Sequence, residues 1–478
     1  MSDTNDKLLF VGGDIIGIQK FIYNISSKKA MVSLKGRSAY ITNLTQQLCD
    51  SILNLPEISR PQLNEVVYCS GGKFYLIVED NDGVRGAIDR LYIAAEERIW
   101  TEHYGQLGIS ITYVPFQKKQ HKGVVIDGVS YEQIGELWNR ISISFSHLKK
   151  TKFKDILATH YNEFFKVAEV GGHTTVCAVS GIESTHCVQL DKDANGEAIW
   201  VLPSVKKQID LGIELRDKEK FKTLEEYADS SYLGILRMDV DNLGSRFIKG
   251  FANFAEYKDF SSRLSRFFST TLKQIQDVYQ AHLNIVYAGG DDLFAVGRWD
   301  KIIDFAAELR KTFINKFREE HLSISGGMAI IDAKFPIAKA AELAGAAENL
   351  AKNYNNGTKD AFSFFGDCVN WEQEFPKVQA LKDTFVTQIE KQSVPKGLLH
   401  QLIRYADLAL EGDSVSYKWH EIYYLTRSLE RCDKKNAEAR SFLSKLRNDT
   451  MTRSKNDYRL LRLSARWAEL VIRFSKKQ

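Results

Sequence analysis

Two apolar hairpins, each turning on a Gly-Gly pair, constrain the fold of this chain more than any other feature. One is Glu65-Val-Val-Tyr-Cys-Ser-Gly-Gly-Lys-Phe-Tyr-Leu-Ile-Val78; the other is Asn284-Ile-Val-Tyr-Ala-Gly-Gly-Asp-Asp-Leu-Phe-Ala-Val296. β-prone runs on either side of such a turn predict antiparallel hairpins. The surrounding pattern repeats as well. A strand from Leu8 to Ile18 precedes the first hairpin, and a helix from Val84 to about Tyr104 and a strand from Ile109 to Val114 follow it. In the second copy a strand (233–240), a long amphipathic helix (about 253–281), the hairpin (284–297), a helix (299–320) and a strand from Leu322 to Ile331 succeed one another. Each copy reads β-α-β-β-α-β, the ferredoxin-like order. In that topology the first strand lies beside the hairpin.

The second hairpin carries adjacent carboxylates, Asp291 and Asp292, after Gly289 and Gly290. Asp and Gly are ordinary turn residues, so the tetrapeptide alone is equally good turn chemistry. A second acidic segment, Leu233-Gly-Ile-Leu-Arg-Met-Asp-Val-Asp-Asn-Leu-Gly244, changes the weighting. It is a strand ending in Asp239 and Asp241, two apart and so on one side of it. The predicted topology sets Asp239 beside Asp291 and Asp292. Three carboxylates with no Cys or His among them favour Mg²⁺ or Mn²⁺ over zinc and suit two-metal phosphoryl transfer. The first hairpin reads Gly71-Gly72-Lys73-Phe74 and cannot hold such a pair; Asp14, its remaining acidic counterpart, is expected to be structural.

The ordered motifs closely resemble the large Palm subunit of type III CRISPR effector complexes, the Cas-ten family, and its Csm branch more than its Cmr branch. They are Gly13-Asp-Ile-Ile-Gly-Ile-Gln-Lys-Phe-Ile-Tyr-Asn-Ile-Ser-Ser27, Ser33-Leu-Lys-Gly-Arg-Ser38, Leu236-Arg-Met-Asp-Val-Asp-Asn-Leu-Gly244, the Gly-Gly-Asp-Asp tip, Ser323-Ile-Ser-Gly-Gly327 and Lys359-Asp-Ala-Phe-Ser-Phe-Phe-Gly366. The resemblance runs over nearly the whole chain. It implies an α+β protein with two ferredoxin-like Palm domains: a degenerate first Palm (1–125), a linker domain with a zinc-ribbon remnant (126–228), a second Palm with the catalytic motif (229–372) and a C-terminal helical domain (373–478).

It further implies that ATP is the substrate, with Asp239, Asp291 and Asp292 as metal ligands and a cyclic oligoadenylate as product. The Asn242, Leu243 and Gly244 turn would offer backbone N–H groups to phosphate oxygens. Asp241 would support that turn or the metal's outer shell. Ser325 resembles the family serine near the adenine, and Gly326 and Gly327 would let backbone approach the ligand; Lys352 and Lys359 resemble phosphate-binding residues, with a solvated surface lysine as the alternative reading of each. Some relatives join AMP to S-adenosylmethionine instead, and no motif here excludes that. A cyclase of the GGDEF type would carry Glu and Phe where this chain has Asp292 and Leu293, and a scaffold would not need the acidic trio.

The remaining features bear on partners and compartment. The chain has 478 residues, enough for three or four domains, and a formal net charge of +4. No apolar run approaches the roughly 20 residues of a membrane span, and the polar N-terminus lacks a signal-peptide core, so no membrane partner and a cytoplasmic location are expected. Basic residues crowd the end of the chain: Lys434, Lys435, Arg440, Lys445, Arg447, Arg453, Lys455, Arg459, Arg462, Arg466 and Arg473. By composition this is as readily a solvated helical face; by resemblance it meets other effector subunits and the guide RNA–target RNA duplex. Trp419 and Trp467 are expected in the core of that domain. Around Cys177 and Cys187 each C-x-x-C knuckle of the family's zinc ribbon has lost a Cys to Ser. His173, Cys177, His186 and Cys187 still offer N/S ligands, but the broken spacing favours a metal-free remnant. No His-Asp dipeptide occurs and the first Palm begins within the first ten residues, so the family's single-strand DNase is expected to be absent.

Overall fold

The computed structural model of the chain describes residues 7–26, 29–120, 122–159, 161, 175–192, 196–228, 232–412 and 415–475. Its strands are β1 (Leu8–Ile16), β2 (Glu65–Ser70), β3 (Lys73–Glu79), β4 (Gly108–Lys118), β5 (Val124–Ile126), β6 (Val129–Tyr131), β7 (Thr175–Val176), β8 (Glu183–Ser184), β9 (Val188–Lys192), β10 (Ala198–Val201), β11 (Leu233–Val240), β12 (Leu283–Gly289), β13 (Asp292–Arg298), β14 (Ile324–Ile331), β15 (Ala361–Phe364) and β16 (Asp367–Asn370). Two six-stranded sheets carry the architecture, in the orders β2-β3-β1-β4-β5-β6 and β12-β13-β11-β14-β15-β16. The first four strands of each order are those of the ferredoxin-like fold, hairpin beside first strand beside last strand. The chain is therefore α+β, with two Palm sheets and a helical C-terminal region.

By internal packing the chain divides into two units. The first comprises 1–233, 242–322 and 331–342; the second comprises 234–241, 323–330 and 343–478. In the first unit, Phe10 of β1 packs at 4.6 Å between ring centroids on Trp138, which lies 4.3 Å from Tyr257 of the helix Phe254–Arg266. Phe254 completes this cluster against Phe116 at 5.6 Å. Each such aromatic pair is worth about 0.5–1.5 kcal/mol beyond its buried area, so the cluster joins the first sheet firmly to the helix that precedes β12. The single helix expected over about 253–281 is two helices, Phe254–Arg266 and Leu272–Tyr279, joined by a π-helical turn at Phe267–Thr271.

In the second unit five helices, Phe375–Glu390, Gly397–Glu411, Ser416–Arg431, Ala437–Asp449 and Lys455–Ser475, enclose an apolar core that includes Leu402, Leu425, Leu443, Tyr458 and Ala465. Trp467 is buried against Phe364, 5.4 Å between centroids. Trp419, expected beside it in the core, is instead 64% exposed. Helical phase explains the difference: Tyr417, Glu421 and Leu425 take the inward face of Ser416–Arg431, and Trp419 falls on the other. Several of the basic residues are also structural. Arg453 and Tyr458 donate to the fully buried Glu421 at 2.6 and 2.7 Å, Arg459 pairs with Glu374 at 2.8 Å, and Arg462 pairs with Asp367 and Asp407 at 2.6 and 2.9 Å. A buried carboxylate demands such partners. No described helix is long and apolar enough to cross a membrane.

Candidate active site at a hairpin tip

The two hairpins have the same internal geometry. Each carries a register irregularity four residues before its turn, between Val66 and Tyr68 in β2 and between Ile285 and Tyr287 in β12. Pairing resumes as Ser70 with Lys73 and as Gly289 with Asp292. In structural register the turn residues are therefore Gly71-Gly72 in the first and Gly290-Asp291 in the second. The pairing of one Gly-Gly with the other that sequence suggests is off by one. Asp291 N donates to Gly289 O at 2.8 Å, closing a three-residue turn around Gly290, whose φ of +71° strongly favours glycine.

The tips touch, and this is what their glycines serve. Tyr287 Oη donates to Gly71 O at 3.2 Å. A Cβ on Gly289 would stand 2.7 Å from Gly71 Cα, and one on Gly290 would stand 2.2 Å from Tyr68 Oη. Gly289 and Gly290, which the resemblance placed among the nucleotide-binding residues, make room for the opposing hairpin. Burial first, and then Asp291, push the Tyr68 phenol well above its ordinary pKa; burial and Asp292 do the same for Tyr287. Both rings stay protonated beside the carboxylates.

Asp239, Asp291 and Asp292 come together: each offers a carboxylate oxygen, and these oxygens lie within 4.8 Å of one another. All three are partly exposed. An all-carboxylate donor set of this size fits a hard divalent cation, and among the described residues it is the group of His, Cys, Asp and Glu side chains able to hold one. Side chains reach Asp292 and Asp239. Gln19 Nε2 donates to Asp292 Oδ2 at 3.1 Å, from the helix Ile18–Tyr23 of the first Palm. Lys352 Nζ pairs with Asp239 Oδ2 and with Glu348 Oε1, both at 2.7 Å. Burial opposes the charge on Lys352, but Asp239 and Glu348 outweigh it and hold the ammonium above its ordinary pKa. Gln19 lies within the Gly13–Ser27 motif, where no local pattern marks it as a partner of Asp292.

Asp241, two residues from Asp239, turns away to a separate network. Its Oδ2 accepts from Ser323 Oγ at 2.7 Å, Ser325 Oγ at 2.8 Å and Asp360 N at 3.2 Å. Burial raises its carboxyl above the ordinary value and the two hydroxyls partly offset this, with the Lys359 charge acting in the same direction as the hydroxyls. Ser325, expected near an adenine, is fully buried and spends its hydroxyl on Asp241. Gly326 and Gly327 likewise serve packing, since a Cβ on the first would meet Met238 Cγ at 2.8 Å and on the second Glu348 N at 2.0 Å. Asn242 is left-handed, with φ +59°, and leads into the short helix Leu243–Lys249. Leu243 is buried, whereas a Cβ on Gly244 would face open space.

Of the ribbon candidates, His173 lies outside the described residues. Cys177 is buried and its Sγ accepts from Ser180 N and Leu202 N, both at 3.5 Å; Cys187 Sγ donates to Thr175 O at 3.4 Å. His186 is exposed. Asp14, by contrast, is buried and paired with Lys149 at 2.6 Å.

Two Palm sheets, one with a carboxylate trio at its hairpin tip, define a double-Palm protein. Residues 232–363 match the family described as Cas10/Cmr2, second palm domain, and residues 7–169 match Csm1 subunit domain B. The chain is 27% identical over 436 residues to the CRISPR system single-strand-specific deoxyribonuclease Cas10/Csm1 (subtype III-A) of Enterococcus italicus, covering 77% of this chain and 55% of that one. It is 24% identical to the protein so named from Mycobacterium tuberculosis, over 88% of this chain and 62% of the relative. Its homologues are thus Cas10/Csm1 proteins of subtype III-A, and the chain spans less than two thirds of the length of these relatives. Among solved structures, an apo Csm1–Csm4 cassette superposes with a TM-score of 0.68 at 18% identity, covering 98% of this chain and 70% of that one. A cassette in complex with one ATP and another in complex with cA4 superpose with TM-scores of 0.64 and 0.63, each at 18% identity and covering 96% of this chain and 70% of that one.

Proposed function

We propose that this chain is the nucleotidyltransferase subunit of an RNA-guided type III CRISPR effector and converts ATP to a cyclic oligoadenylate. The observation that carries the reading is the trio Asp239, Asp291 and Asp292, within 4.8 Å at the tip of a Palm hairpin. The Csm1–Csm4 cassettes of the same fold, in complex with ATP, cA3 and cA4, support it.

In this proposal the trio holds Mg²⁺ or Mn²⁺, which supplies charge stabilisation for the attacking and leaving oxygens of an in-line displacement. A ribose hydroxyl attacks the α-phosphorus of ATP, its proton passes to solvent, the α–β bridging bond breaks and pyrophosphate departs. Repetition and a final intramolecular closure yield the ring. Gln19 fixes the orientation of Asp292 from the first Palm, as outer-shell donors do for ligating carboxylates. Lys352 compensates the negative charge at Asp239 until a nucleotide triphosphate offers it phosphate oxygens, and Lys359 contributes positive charge on the Asp241 side. Backbone N–H groups at Asn242 to Gly244 face the phosphates, with Gly244 leaving the approach open. Asp241, Ser323 and Ser325 act behind the site by tying β14 to the end of β11. Other effector subunits, guide RNA and target RNA are the proposed partners, with recognition of target sequence left to base pairing.

The test is product analysis after incubation of the chain, assembled with its effector subunits and guide RNA, with ATP and Mg²⁺, with and without target RNA and S-adenosylmethionine. Target-dependent cyclic oligoadenylate is expected. A product formed only with S-adenosylmethionine would replace the cyclase reading by nucleotide conjugation, and no product under any condition would leave a scaffold. The same preparation, given single-stranded DNA and Mn²⁺, tests separately for the deoxyribonuclease activity after which the relatives are named.

A further inference from the structure

A pair of thiols in the first Palm stands outside everything described so far. Cys49 lies near the end of the helix Ala30–Leu53, and Cys69 lies in β2, one residue from Tyr68. Their sulfur atoms are 2.8 Å apart, with the Cys49 S–H directed at Cys69 Sγ. That is nearer to the roughly 2.05 Å of a covalent S–S bond than two sulfurs in simple contact would come. The fold brings them there from twenty residues apart. The two members differ in access: Cys49 is fully buried, whereas Cys69 is partly exposed and also faces Gln46 Oε1 at 3.7 Å.

We propose that Cys49 and Cys69 form a reversible intrachain disulfide, a modification site that peroxides and small-molecule disulfides close and thiols reopen. The geometry assigns the roles. Cys69 is the sulfur an oxidant reaches; Cys49 is the resolving sulfur behind it. With hydrogen peroxide, the Cys69 thiolate attacks one oxygen, the O–O bond breaks, and Cys69 sulfenic acid and hydroxide result. Cys49 then loses its proton and attacks Cys69 Sγ, the S–O bond breaks, and hydroxide leaves as water after taking up that proton. Two thiols and one peroxide become one disulfide and two waters. With an oxidised small-molecule disulfide the intermediate is a mixed disulfide on Cys69, and two small thiols are the co-products. The hydrogen bond from Cys49 moves the two thiols in the required directions, lowering Cys69 and, together with burial, raising Cys49.

The bond would clamp β2 to the helix behind the sheet. β2 ends at the tip where Gly71 and Tyr68 meet the second hairpin, so closure restrains the element that supports the carboxylate tip.

The experiment uses the reduced full chain, exposed to hydrogen peroxide or oxidised glutathione, blocked with N-ethylmaleimide and digested without reductant for mass spectrometry. A peptide joining Cys49 to Cys69, lighter by two hydrogens, is expected as the dominant cysteine link, removed by dithiothreitol. In Cys49→Ala, Cys69 should instead accumulate as sulfenic acid that dimedone traps. Cys69→Ser should leave Cys49 alkylated only after unfolding. Circular dichroism confirms that the variants fold; the wild-type peptide is decisive by itself. Full alkylation of both cysteines after oxidation, or a wild-type Cys69 that stops as a sulfenic, sulfinic or glutathione adduct with Cys49 still a thiol, would overturn the proposal.

Discussion

The two hairpins of this protein share a backbone and differ in what they do with charge. Both carry the irregularity four residues before the turn and the same pairing after it. By that register Lys73 occupies the position of Asp292, and Gly72 that of Asp291. The first sheet keeps one carboxylate nearby, Asp14, opposite Lys73 across the β1–β3 ladder; it is buried and neutralised by Lys149 at 2.6 Å. The second gathers three partly exposed carboxylates, an arrangement whose mutual repulsion is relieved by Lys352 on Asp239 and Gln19 on Asp292. One tip carries a lysine where the other carries an acid, so the backbone is the constant device and the tip residues the variable one.

The hardest blow to this contrast is removal of the trio. Asp291→Ala, Asp292→Ala or Asp239→Ala should each lower nucleotide product by more than the roughly 100-fold that marks the upper range for outer-shell partners. Thermal unfolding and subunit assembly should stay unchanged, because a partly exposed tip is no core. Full product from an Asp291→Ala/Asp292→Ala double variant would end the assignment.

A second test exploits a histidine in the first Palm. Burial, with Arg37 and Arg98 adding to it, brings His103 from the ordinary 6.5 down to about 4. Its folded-state pKa lies below its unfolded one, so the unfolded chain takes up the proton first. The contribution is fully present above pH 6.5 and is lost as the pH falls towards about 4, to the extent of about 3 kcal/mol. Denaturant titrations across this window should show the loss, and His103→Phe should flatten it. An unchanged slope would mean that His103 titrates normally.

Gln19 tests whether the inert Palm supports the active one. Gln19→Ala should weaken Mn²⁺ binding, read by calorimetry or by the metal's paramagnetic signal, by roughly 10-fold, the lower end for outer-shell partners. Gln19→Glu should alter the metal dependence again, by adding a fourth carboxylate. Equal affinities in all three proteins would confine the site to the second Palm.

A last test concerns the touching glycines. Gly290→Ala should cost about 1–2 kcal/mol from its left-handed backbone alone, plus the collision of its Cβ with Tyr68 Oη at 2.2 Å. Gly181→Ala, also at positive φ but with nothing within 4 Å, should show only the backbone part. Equal losses in the two variants would mean that Tyr68 moves aside freely.

Alternating apolar runs, Gly-Gly turns and the order of strands and helices were legible without coordinates, because strand periodicity and turn chemistry are written in neighbouring residues. They sufficed for two ferredoxin-like sheets and for bringing Asp239 to Asp291 and Asp292. Tertiary structure decided what local pattern cannot encode. The one-residue offset between the tips depends on cross-strand register. Gln19 meets Asp292 across 273 positions. Ser325, Gly326 and Gly327, which looked like ligand contacts, are consumed by Asp241 and by close packing against Met238 and Glu348. Arg453, Arg459 and Arg462, indistinguishable by sequence from a solvated basic face, are internal partners of Glu421, Glu374 and Asp367. Composition and periodicity set which residues can be buried or charged; only the packed chain settles which partner each charge, hydroxyl or missing Cβ finds, because those partners are chosen by proximity in space and not along the sequence.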